Sequence, residues 1–222
     1  MPEYIQKGGP LMWLIVLCSV LVITVFLERL TYFHRASIRV GEFLRGLSNL
    51  IQRRNFAEAL HECAGAPGPV ARVIHAAIIH HEKSRSDLKE IVQEAGQLEV
   101  PKLERNLALL STITFVTPLI GLLGTLTGLI DSFGNIESHS DTSSMDISSG
   151  IHHSLLTAAA SLAVAIPSSI AYSYLSARVN TLLHDMERGG IEIVNLIIAS
   201  RETEKRGAQI IDFQQQKAET ER

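Results

Sequence analysis

Three long runs without a Lys, Arg, Asp or Glu constrain this chain more than any other feature. Residues 11–27 read LMWLIVLCSVLVITVFL, and residues 107–130 and 151–177 are equally free of these four types. Each of the two later runs exceeds the roughly 20 residues that cross a bilayer core, and the first approaches that length. A cleaved signal peptide fits residues 11–27 poorly, because the run is too long for an apolar h-region and no small-x-small site precedes the polar stretch. Three retained transmembrane helices are therefore expected.

The apolar content, 46% of 222 residues, is concentrated in these runs, and the rest is rich in Arg, Glu and Gln. That segregation describes a membrane protein with water-facing extensions. Basic residues set the orientation. Residues 28–106 hold Arg29, Arg35, Arg39, Arg45, Arg53, Arg54 and Arg72, and more lie beyond residue 177. The connection 131–150 has no Lys or Arg and carries Asp131, Glu137, Asp141 and Asp146. The positive-inside rule puts residues 31–106 and 178–222 in the cytoplasm, and the N-terminus and the 134–150 loop outside. The expected division is 1–30 as N-terminus and first span, 31–106 cytoplasmic, 107–133 second span, 134–150 outer loop, 151–177 third span, and 178–222 as C-terminal helix and tail.

Helical periodicity fills the cytoplasmic parts. Val40, Phe43, Leu44, Leu47 and Leu50 share a face within 38–51. Asn55 is placed to cap a short helix through Cys63, which the breakers Gly65-Ala66-Pro67-Gly68-Pro69 end. A further helix is predicted over 70–83. Another has Ser86-Asp87 at its N-cap and reads on toward the second span, with Pro101 as its one interruption. Beyond the third span, residues 176–199 keep the period with Gly189-Gly190 as a weak point, and the tail from Arg201 reads as solvated or disordered. No strand alternation appears, so the fold class is all-α.

Soluble-enzyme chemistry has no support. His75, His80 and His81 lack further ligands at matching spacing and read as surface histidines, and no phosphate loop or nucleophile motif occurs. No cofactor, metal or nucleic-acid partner is expected. Cys18 and Cys63 fall in different compartments and form no disulfide framework.

The spans themselves carry the informative pattern. Gly121, Gly124 and Gly128 lie near one face of the second span, where small residues let helices approach closely in lipid. In the third, Ser154, Thr157, Ser161, Ala165, Ser168 and Tyr172 recur every three or four residues and form a polar stripe. Such a stripe faces other helices or water. Hydroxyls do not titrate near neutral pH, and no span carries a carboxylate at mid-depth. A proton path here needs a carboxylate from a partner.

GPVARVIHAAI at 68–78, TPLIGLLGTLTGLIDSF at 117–133 and the GI-x-x-SLLTAA-x-SLAVAIPS run at 150–169 resemble the MotA/TolQ/ExbB proton-channel family, in its three-span ExbB/TolQ branch. The resemblance implies a ring, generally of five copies, in an inner membrane. It also implies a pair of single-span ExbD/TolR-like subunits supplying an aspartate, a TonB-like protein, and coupling of proton-motive force to work on the envelope. The family threonine of the second span matches Thr125, and Thr125, Ser154, Thr157 and Ser161 are the expected pore-lining set. Two positions depart from the pattern. A family glutamate is His153 here, a candidate proton relay, and the second of two adjacent threonines is Ala158 after Thr157. A non-conducting scaffold of the same fold is the alternative.

Overall fold

A computed structural model of the chain describes residues 9–36, 40–138 and 144–220. Among these residues every regular element is helical: α1 Gly9–Ala36, α2 Val40–Gln52, α3 Phe56–Gly65, α4 Pro69–Ile79, α5 Arg85–Glu104, α6 Leu107–Ser138 and α7 Ser144–Thr220. Three of them are long and apolar enough to cross a membrane. The expected helix start at Ile38, the basic residue Arg39 and the loop acid Asp141 lie outside the described residues.

The chain divides into two compact units, Met1–Thr31 with Glu104–Ala177, and Tyr32–Leu103 with Arg178–Arg222. The first contains the apolar runs. In α1, Met12, Ile15, Val22 and Val25 are buried at helical spacing, while Trp13, Leu17, Val20, Ile23 and Leu27 are exposed. Phe115, Leu119, Leu122, Leu126 and Ile130 of α6 and Leu155, Leu162, Ile166 and Ile170 of α7 are also exposed. Helices that are apolar on their outward faces as well as their inner ones suit lipid rather than water.

The second unit has a conventional core. Leu44, Leu47 and Ile51 of α2, Ala59 and Cys63 of α3, and Val70, Ile74 and Ile78 of α4 are buried, and α7 adds Val179, Leu182, Met186, Ile193 and Ile197. Asn55 caps α3 as expected, its side chain accepting from the Glu58 N–H. Gly68 precedes α4 with φ 106°, and a Cβ there would strike the Ala36 carbonyl oxygen, so only glycine fits. Pro69 then takes the first helical turn, where its missing N–H costs nothing. Across this unit Glu99 is buried and accepts from Arg72 at 2.5 Å and Lys102 at 2.7 Å. Burial works to raise its carboxyl, but the two cationic hydrogen bonds outweigh that and hold it below the usual range.

Four local expectations change. The helix predicted over 70–83 ends at Ile79, where the His80 and His81 rings sit at 3.0 Å from the Ala76 and Ile78 carbonyl oxygens. The cap of α5 is Ser84 rather than Ser86, because its Oγ accepts from the Asp87 N–H at 3.2 Å. Pro101 neither ends nor divides α5; the break comes at Asn106, with φ 63°, whose side-chain amide donates to Glu28 at 2.9 Å. Finally, α7 stays helical through Gly189-Gly190 and on to Thr220. The two glycines lie under Val70 and Val92, so they serve close approach rather than weakness, and the backbone from Arg201 is helix rather than disordered.

Candidate functional site

The chemistry-bearing residues of the first unit lie along one antiparallel seam between α6 and α7. Thr114 Oγ1 meets Ser168 Oγ at 2.9 Å. A Cβ on Gly121 would sit 2.6 Å from the Ser161 Cβ, one on Gly124 would sit 2.9 Å from the Thr157 methyl, and one on Gly128 would sit 2.6 Å from the Ser154 Cβ. At the far end Gly150 abuts Ser132. Thr114, Gly121 and Gly128 are seven residues apart, and so are Ser168, Ser161 and Ser154. A seven-residue repeat on both partners is the spacing of helices crossing at a shallow left-handed angle.

Glycine opposite hydroxyl explains why both patterns exist. Ser154, Thr157, Ser161 and Ser168 are buried in this seam. Their hydroxyls donate back to their own helix, Ser154 to the Ile151 carbonyl, Thr157 to His153, Ser161 to Ala158 and Ser168 to Ala165. That back-bonding satisfies each O–H without water. Leu11 of α1 reaches the same seam, 3.6 Å from where a Gly124 side chain would begin. Thr117 of α6 is fully buried and donates to the Ile113 carbonyl at 2.6 Å.

The other candidates sit beside the seam. Thr125 is half-buried and donates to the Leu122 carbonyl at 2.6 Å. Ala158 is half-buried, and its Cα approaches Gly121. Tyr172, at the C-terminal end of the stripe, is also half-buried. His153 is half-buried against the His152 ring, with centroids 5.7 Å apart, and its Nδ1 is enclosed without a hydrogen-bond partner. A buried ring nitrogen left unpaired is unusual and costs its desolvation. Asp131 is exposed toward the end of α6. Among the described residues the seam thus offers hydroxyls and no carboxylate, with the His153 imidazole beside it.

Thr114, Ser132 and Gly150 also belong to the seam and were not singled out from sequence. The offset of seven from Gly121 would have found Thr114. Among the described residues no cluster of histidine, cysteine and carboxylate groups could hold a metal. His81 instead stacks on Phe56 at 4.0 Å.

Residues 51–188 match the model of the MotA/TolQ/ExbB proton channel family. An ExbB homolog of Methanothermobacter thermautotrophicus is 26% identical over 83% of this chain and 66% of its own length. An ExbB-like protein of Synechocystis is 31% identical over 72% of this chain and 64% of its own. The biopolymer transport protein exbB1 of Vibrio cholerae is 26% identical over 77% of each chain. The chain spans just under two thirds of the length of the first two of these relatives.

Proposed function

This chain belongs to the MotA/TolQ/ExbB proton channel family, a family of channel subunits and not of enzymes, and we propose that it is the ring-forming subunit of an ExbB/TolQ-like motor in a bacterial inner membrane. The observation that carries the reading is the uncharged α6–α7 seam, in which the spans bring hydroxyls and an imidazole but no carboxylate. Such a wall can guide a proton but cannot by itself bind one in the middle of the bilayer. A single-span ExbD/TolR-like subunit supplies the missing aspartate, and a TonB-like protein takes up the work.

In this proposal several copies, five as in the family pattern, set their α6–α7 pairs around a central path. Thr125 faces the path. Ser154, Thr157 and Ser161 form the seam of its wall, and Gly121, Gly124 and Gly128 hold the two helices close enough to keep that wall tight. His153, whose Nδ1 is enclosed without a hydrogen-bond partner, relays protons at the outer end. The N-terminus and the loop after α6 lie in the periplasm. Residues 31–106 and 178–222 stand in the cytoplasm, in accord with their Arg and Lys content.

The test is proton flux into proteoliposomes containing the chain and its single-span partner. Flux that needs both proteins and falls in Thr125→Ala or His153→Ala supports the reading. An intact complex without flux overturns it. The second reading, a scaffold that conducts nothing, is favoured by His153 and Ala158 standing where the family pattern has glutamate and threonine. If only the His153→Glu, Ala158→Thr double variant conducts, the scaffold reading holds for the native chain.

A further inference from the structure

We infer that the second unit carries a knob and a matching socket on opposite flanks of α5, and that one copy of this chain docks head-to-tail on the next through them. The socket is a groove of about 620 Å³ between α5 and residues 183–195 of α7. Met186 and Val194 are its buried apolar lining, and Ile191, more than half exposed, stands on the α7 wall. Lys89, Gln93 and Gly96 stand on the α5 wall.

The two helices are pinned at one level and parted at the next. A Cβ on Gly190 would strike the Val92 side chain, and Arg85 donates to Asn195 at 3.1 Å, so α5 and α7 touch there. At Gly96, one turn beyond Val92, a Cβ would meet nothing within 4 Å. Glycine inside a helix weakens it relative to alanine, and this one gives no close approach within its own chain. It leaves the groove wide enough for a side chain from outside.

The knob is Leu98. At 67% it is the most exposed large apolar side chain described in this unit. Ile91, two turns earlier, is half-buried, and Glu94 between them is exposed and has no ion pair among the described residues. At roughly 100° per residue, Leu98 and Ile91 lie about half a turn around α5 from Lys89, Gln93 and Gly96. The buried Leu88, Glu99 and Leu103 lie between the two flanks.

A lone exposed leucine is ordinary on a water-facing helix. Its counterpart on the other flank gives Leu98 its meaning. The groove has Arg85 and Lys89 against one carboxylate, Glu187, and is positive by one charge. The knob brings Glu94. Two α5 helices packed in parallel with Leu98 opposite Gly96 set Glu94 level with Val92, about 4.5 Å along the axis from Lys89. A lysine side chain covers that span. A two-fold pair would need both halves on the same flank. Halves on opposite flanks make the contact heterologous, so it repeats from copy to copy until the rotation closes.

This inference deepens the reading of the chain as a ring-forming subunit, and its test reads assembly rather than conduction. The probe is the full chain in a Cys18→Ala, Cys63→Ala background. Gln93→Cys on one tagged copy and Leu98→Cys on a differently tagged copy are co-expressed, extracted in detergent and treated with a short bismaleimide. The expected product is a cross-linked dimer holding both tags, absent when either variant is expressed alone. Gly96→Trp should remove the product when placed in the Gln93→Cys chain, which supplies the socket, and spare it when placed in the Leu98→Cys chain. Lys89→Glu or Glu94→Lys in both chains should lower the yield roughly threefold or more, and the two together should restore it. Equal cross-linking of each variant with itself, no product from an intact oligomer, or a product only with a protein of another mass overturns the contact. Proton flux without the cross-link overturns this inference alone, whereas the cross-link without flux overturns the channel reading alone.

Discussion

Gly124 lies so close to Thr157 that a Cβ on the glycine would sit 2.9 Å from the threonine methyl. That contact is one of three in which α6 presents no side chain where α7 presents a hydroxyl-bearing one. In lipid, where apolar burial gives helices little reason to associate, such close approach is what holds them together.

Gly124→Val is therefore expected to force the pair apart. Overfilling a close-packed contact costs about 1–3 kcal/mol, and a lowered melting temperature in detergent is the expected readout. Gly134 is the internal control: a Cβ there meets nothing within 4 Å, so Gly134→Ala should not lower the melting temperature.

Gly68→Ala should destabilise the second unit by about 1–3 kcal/mol, because the new methyl meets the Ala36 carbonyl oxygen at a φ that L residues avoid. Chemical denaturation of the purified chain, followed by the loss of helical signal, measures it.

Glu99 predicts an acid dependence with a definite sign. Its carboxyl is held below the ordinary range in the folded chain, so its stabilising effect is present above the unfolded value of about 4.3. The effect is lost as pH falls through the folded value. Glu99→Gln should flatten the stability profile below about pH 5 and leave alkaline behaviour unchanged. Arg72→Ala should cost about 1 kcal/mol at neutral pH, a small figure because the Arg72 side chain is half exposed and screened.

Cys63 should resist thiol reagents. Burial, reinforced by the Glu62 charge, pushes its thiol up to about 12. At pH 8 the thiolate is then about one part in ten thousand. In a Cys18→Ala background, mass spectrometry after iodoacetamide should show an unmodified folded chain and a singly modified unfolded one.

The spans, the all-helical class and the Asn55 cap were legible in the sequence because each is a local signal, carried by run length, by period or by one side chain beside its own helix. Features that depend on a distant partner were not. Gly189-Gly190 reads as weakness until Val70 and Val92 are seen above it. The hydroxyl stripe of α7 reads as facing other helices or water, and which helix it meets is seen only when the glycines of α6 are set opposite. Asn106 ends the continuous reading from near Leu88 into the second span: its backbone is left-handed, and its side chain reaches Glu28, 78 residues away. Pro101 was the more visible breaker, yet a lone proline without such an anchor passes within the helix.

The spacing of the seam has a mechanical consequence. Glycines at 121, 124 and 128 and hydroxyls at 154, 157 and 161 both alternate steps of three and four. Sliding α6 by one turn, about 5.4 Å, would bring Gly124 opposite Ser161 and Gly128 opposite Thr157. Between those two positions the hydroxyl-bearing side chains no longer stand over the glycines. The seam is thus matched at whole-turn intervals, like an indexed rail with detents, and not at the offsets between them.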